Sequence, residues 1–186
     1  MSPVQQLSFD ALAQELSQPL LRYLQRCVGQ RPVAEDLLQE TLVRIARGLP
    51  GFAGRASVKT WAFSIATRVT ADYFRKPERR FQVVEIDEAM ELADTDRAID
   101  ERVVVGEMNS CVRQVIDSMP DDYRAALVLH DLEGMNVQQV AEICGCSVAT
   151  AKIRIHRARH RLRGALQQQC EFYRDRENVF RCERKA

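Results

Sequence analysis

The sequence predicts an all-α protein made of two small helical units joined by an acidic linker. Apolar residues recur every three or four positions through most of the chain, the spacing that builds one buried helix face. No stretch before the tail shows the sustained apolar–polar alternation of a half-buried strand. Charge is also partitioned. Residues 1–75 carry nine Lys/Arg against six Asp/Glu, whereas residues 76–104 carry five against nine and include Pro77. Acidic, weakly periodic sequence of that kind reads as an exposed linker. The expected divisions are 1–76, a linker at 77–104, 105–169, and a cysteine-containing tail at 170–186.

Each element has its own signal. Residues 9–27 form a first helix in which Leu12, Leu16, Leu20 and Leu24 repeat every four positions, with Pro19 expected to kink or divide it. Gly29 and Pro32 end it. Residues 34–48 form a second, whose core face carries Leu37, Leu38, Thr41, Leu42 and Ile45, before Pro50, Gly51 and Gly54 break the chain. Residues 57–75 form a third, with Trp61, Ile65, Val69 and Tyr73 at intervals of four. That spacing puts Trp61 in the core; stacking on a base is the alternative. The second unit starts near Val105, where Met108, Cys111, Val112, Val115, Ile116 and Met119 mark a helix stopped by Pro120. Residues 121–132 supply another, with Tyr123, Leu127 and Leu129 apolar.

Residues 135–166 are the most informative. Val137, Val140, Ala141 and Cys144 form one apolar helix face, Gly145 permits a tight turn, and Ser147 is suited to cap a second helix. In that helix Val148, Ala151, Ile155, Ala158 and Leu162 face inward, and Lys152, Arg154, His156, Arg157, Arg159, Arg161 and Arg163 face outward with no acidic residue among them. A short helix, a glycine turn and a basic second helix make a helix-turn-helix that can enter a major groove. A merely solvated basic face is the alternative.

Several classes are excluded. There is no Gly-rich phosphate loop, no nucleophile–base motif and no tight His/carboxylate cluster, so neither an enzyme nor a cofactor is expected. The first residues lack the basic start and apolar run of a signal peptide, and no run approaches the roughly 18 apolar residues of a membrane span. A cytoplasmic protein without membrane insertion is expected, its six cysteines mostly reduced.

The segments Ala34-Glu35-Asp36-Leu37-Leu38-Gln39-Glu40-Thr41 and Lys59-Thr60-Trp61 resemble region 2 of the extracytoplasmic-function (ECF) sigma factors, small subunits of bacterial RNA polymerase. Met119-Pro120, Tyr123-Arg124 and the helix from Ser147 to Leu166 resemble region 4 of the same family, in the family's order. The resemblance implies that Asp36, Leu37, Gln39 and Glu40 grip the polymerase core. It implies that the loop at 52–57 and the helix after it hold the non-template strand of the −10 element, with Arg55, Lys59, Arg68 and Arg75 on its phosphates. It further implies that Lys152, Ile153, His156 and Arg157 face bases of the −35 element, while Thr150 and Arg154 lie near phosphates. Lys and Arg suit guanine edges and Ile153 suits a thymine methyl; His156 either bonds a base or is solvated. Arg159, Arg161 and Arg163 serve phosphates or the polymerase flap, or only solvate the helix. Met119, Ala151 and Arg68 depart from the family's commoner leucine, valine and asparagine, which puts the base preference near Arg68 in doubt. RNA polymerase core, promoter DNA and an anti-sigma protein are the implied partners.

The tail, CEFYRDRENVFRCERKA, reads as a hairpin turning around Arg176, with Cys170, Phe172, Phe180 and Cys182 on one face and the two thiols opposite each other. It is either an apolar flap or a metal or redox switch, joined by Cys144, Cys146 or a histidine. Two other functions are therefore weighed against a sigma factor: a stand-alone helix-turn-helix regulator, and a metal- or redox-sensing regulator acting through these cysteines.

Overall fold

The computed structural model describes residues 8–76, 110–174 and 180–184. The linker expected at 77–104 and the start of the second unit at Val105 lie outside them.

In the first unit α1 (Phe9–Val28), α2 (Arg31–Gly48) and α3 (Val58–Arg75) pack on one another. Contrary to expectation, α1 runs unbroken through Pro19. The bond that proline removes falls at the carbonyl of exposed Glu15, where water can replace it. Burial of Leu12, Leu16, Leu20, Tyr23 and Leu24 holds both halves in one line. The helix stops at Gly29, whose φ of 79° is the left-handed cap that glycine takes without strain. The second helix opens at Arg31, three residues before the expected start, because Pro32 sits in its first turn, where a missing N–H is harmless. Ser57 caps α3, its hydroxyl accepting from the Thr60 N–H at 3.0 Å. Trp61 is half-buried rather than a central core residue. Its ring lies 4.9 Å from that of Phe52, so it anchors the loop ahead of α3.

The second unit contains α4 (Ser110–Asp117), α5 (Asp121–Leu127), a π-helical turn (Val128–Leu132), α6 (Val137–Cys144) and α7 (Val148–Gln169). The helix expected over 121–132 is thus α-helical only to Leu127. Buried Arg124 sets the corner between α4 and α5, donating to the carbonyls of Ile116, Asp117 and Met119 at 2.8–3.0 Å. Asn136 and Gln139 form a reciprocal capping box at the start of α6. The turn after it passes through Gly145 at φ 63°, and Ser147 caps α7 by accepting from the Thr150 N–H at 3.1 Å.

The two units are not separate bodies. One cluster of buried side chains runs from Leu20, Tyr23, Phe63 and Val69 of the first to Leu129, Val140, Ile143 and Ile155 of the second. A smaller cluster, including Ile116, Met119, Leu127 and Leu162, fixes α4 and α5 on α7. Polar contacts cross the same boundary. Arg113 of α4 donates to the terminal carbonyls of α1 at Gln25, Arg26 and Cys27. Arg26 donates to the Leu132 carbonyl and pairs with Glu133, each at 2.7 Å.

The tail forms the expected hairpin of β1 (Cys170–Arg174) and β2 (Phe180–Arg184), but in another register. Cys170 pairs with Arg184 and Cys182 with Phe172. Relative to directly opposed thiols, β2 is shifted by two residues. The two cysteines are therefore diagonal neighbours on one face, not directly opposite.

Candidate nucleic-acid interface

Burial divides α7 cleanly. Ala151, Ile155 and Ala158 are at most 4% exposed, whereas Lys152, Ile153, His156 and Arg157 stand exposed in one outward row. Ile153, 42% exposed, is a large apolar side chain left in solvent amid cations. Such a residue costs little there if it meets an apolar group such as a base methyl. Thr150 is half-buried and fixed by its hydroxyl bond to Ser147 at 2.8 Å. Arg157 also reaches the Tyr123 hydroxyl at 3.4 Å.

Arg154 is placed differently from its neighbours. It turns toward α5 and pairs with Asp122 at 3.1 Å, so the expected phosphate contact requires that pair to break. Arg159 is engaged as well: it donates to both oxygens of Asp131, at 2.9 and 2.5 Å. His130 lies 2.7 Å from the same carboxylate. Burial pushes the Asp131 carboxyl upward, but the bonds from Arg159 and His130 outweigh it and hold the group below the ordinary carboxylate range. The cluster braces α7 against the π turn, so the outward row is presented on a rigid helix.

In the first unit Arg55, Lys59, Arg68 and Arg75 are all exposed. Arg68 and Arg75 are two turns apart on α3, and Arg75 lies 3.5 Å from Asp72. On α2, Asp36, Gln39 and Glu40 are exposed and Leu37 is half-buried at the rim of the core. Glu40 pairs with Arg44 at 2.8 Å, and Arg44 with Asp72 at 3.0 Å, tying α2 to α3.

The four cysteines singled out from the sequence do not come together. Cys144 and Cys146 flank the turn before α7, and Cys170 follows its last residue. A helix of 22 residues separates them by about 33 Å, so no single site can hold all four. Burial pushes the Cys144 thiol up to about 12, which leaves it protonated at neutral pH. Among the described residues no group of three or more His, Cys, Asp or Glu is arranged to hold a metal ion. No helix among them is long and apolar enough to cross a membrane.

Sequence reading missed Arg26, Glu133 and Arg113, which knit the units together, and Asp122, which holds Arg154 within the second. Each is an ordinary surface charge by local pattern, and its partner is set only by tertiary packing.

Two family models match the chain: sigma-70 region 2 over residues 12–80 and sigma-70 region 4 over residues 109–162. Among curated relatives, the RNA polymerase sigma-H factor of Pseudomonas aeruginosa is 30% identical over 167 residues, 86% of each chain. This chain belongs to the ECF subfamily of the sigma-70 factors. The ECF factor SigC of Mycobacterium tuberculosis is 35% identical over 132 residues, 69% of this chain and 68% of that protein. Among solved structures, the sigma factor RpoE of Bartonella quintana, crystallised with the anti-sigma factor NepR, matches with a TM-score of 0.62 at 24% identity. That match covers 86% of this chain and 96% of that one, and it shows a shared fold. In this sigma factor the region 2 match takes in most of α1 with α2 and α3, and the region 4 match takes in α4–α6 and most of α7.

Proposed function

We propose that this ECF sigma factor binds core RNA polymerase through Asp36, Leu37, Gln39 and Glu40 and reads the −35 element with Lys152, Ile153, His156 and Arg157. Arg55, Lys59, Arg68 and Arg75 hold the opened −10 strand, with Thr150 and Arg154 on phosphates near −35. Its units are the region 2 domain at 1–76, the linker at 77–104, the region 4 domain at 105–169 and the tail. The polymerase supplies the chemistry, and the sigma factor, acting in the cytoplasm, supplies promoter choice. An anti-sigma protein is its expected inhibitor. The observation that carries this reading is the exposed row on α7 backed by a fully buried inner face.

The closed packing of the two units adds a step. Elements at −35 and −10 are about 25 base pairs apart, or about 85 Å along B-DNA. A compact chain of this length is only about 40 Å across. Reading both at once therefore requires the units to separate, and the linker at 77–104 can span about 95 Å if fully extended. Polymerase binding would hold the open form.

The test is transcription from a promoter library by sigma-free core polymerase with and without this protein. Promoter-specific initiation that needs both elements is expected. Tight duplex binding alone, with every promoter silent, would instead favour a stand-alone helix-turn-helix regulator.

A further inference from the structure

Between the two units lies a cleft of about 430 Å³, within the range of small-molecule sites, which favour such interfaces. Ala71 and Phe74 of α3 and Ile143 of α6 give it apolar walls. Arg68, Arg75, Arg124 and Arg154 line it together with Asp121 and Asp122, so four cations meet two anions. Arg124 is the most telling of these. It is 4% exposed and stacks 4.2 Å over the Phe74 ring, and its Nε and Nη2 are spent on carbonyls. Its buried Nη1 makes no hydrogen bond among the described residues, and Asp121 Oδ1 is 3.5 Å away. A buried guanidinium N–H left without an acceptor is costly.

We infer that this cleft binds a small phosphomonoester carrying an apolar body. Phosphate oxygens are clamped by Arg68 and Arg154 over the buried Arg124 charge, while the body lies against Ala71, Phe74 and Ile143. A phosphomonoester carries about −1.5 to −2 at neutral pH, which matches the excess of two positive charges; a carboxylate would leave one uncompensated. Arginine is suited to such an anion because its planar fork offers paired donors. The walls come from both units, so the ligand fits only the closed form. By linkage it favours that form over any in which the units part. The inference goes beyond the promoter-reading function and does not depend on it.

Phenyl phosphate is the probe, titrated calorimetrically into the full chain at constant ionic strength. Saturable one-to-one binding is expected, about 10-fold tighter than for inorganic phosphate. Arg154→Gln removes a clamp, and Ala71→Trp fills the cleft without removing charge; each should weaken binding about 10-fold or more. Circular dichroism checks that both variants fold, and if Ala71→Trp does not, Arg154→Gln decides the matter alone. Absence of binding at millimolar phenyl phosphate overturns the site. So does unchanged affinity in either folded variant, or equal affinity for the two phosphates.

Discussion

Arg26 Nη1 lies 2.7 Å from Glu133 Oε1, an ion pair that joins the first helix of region 2 to the residue that follows the π turn of region 4. Glu133 is almost fully buried and Arg26 about a third exposed. Burial pushes the Glu133 carboxyl up further than Arg26 pulls it down, and the group ends above its ordinary range. A buried pair of this kind contributes more to which surfaces meet than to net stability.

Charge reversal at this pair should open the molecule. Glu133→Lys places two cations together at the boundary and is expected to destabilise the closed form by about 1–3 kcal/mol, discounted for the exposure of Arg26. The radius of gyration from small-angle scattering should rise. Glu133→Gln should leave the molecule closed, because it removes the desolvation cost along with the charge. Equal scattering from Glu133→Lys and the parent protein would show that the apolar boundary alone holds the units together.

On α7 the proposed base-facing and phosphate-facing roles separate by salt. Lys152→Ala or Arg157→Ala should cost about 1–3 kcal/mol of discrimination at one −35 position. Asp122→Ala should release Arg154 from its 3.1 Å pair. That variant is expected to bind all −35 sequences more tightly and to steepen the salt dependence by about one counterion. Fluorescence anisotropy against a small panel of duplexes at several salt concentrations measures both effects.

The recognition helix was legible because its signal is local: the 3.6-residue period places Ala151, Ile155 and Ala158 inside whatever the partner. The closed boundary was not, since Arg26 and Glu133 are 107 positions apart and neither looks unlike a solvated charge. The hairpin fell between these cases. Alternation correctly put Cys170 and Cys182 on one face, but moving the pairing from opposite to diagonal keeps every side chain on its face. Apolar pattern therefore cannot decide between the two; only the backbone pairing of the strands does. Pro19 misled for a related reason, because a local helix breaker was outweighed by burial on both sides of it.

Acid should loosen the brace behind α7. The Asp131 carboxyl sits below its ordinary range when folded, so the unfolded chain takes up this proton at higher pH than the native one. The stabilisation is therefore complete above about pH 4, the unfolded value, and is lost as pH falls through the lower native value. Urea unfolding of the parent and of Asp131→Asn should differ by about 1.5–3 kcal/mol at pH 7. The gap should narrow only below about pH 4; one that closed well above about pH 4 would show that the Asp131 carboxyl is not held below its ordinary range.

Gly29 answers two demands at once. Its φ of 79° is left-handed, and a Cβ built there would lie 2.7 Å from Arg113 Nη2, the guanidinium that caps α1 from the other unit. Gly29→Ala should therefore cost about 1–2 kcal/mol for the backbone, plus whatever is lost when Arg113 is pushed from its carbonyls. The two parts separate in a double-mutant cycle with Arg113→Ala. Without the guanidinium, Gly29→Ala should cost only the backbone part, and the difference in unfolding free energy reports how firmly Arg113 holds region 4 on region 2. Strict additivity would mean that Arg113 moves aside without penalty, leaving the boundary to the apolar core and the Arg26–Glu133 pair.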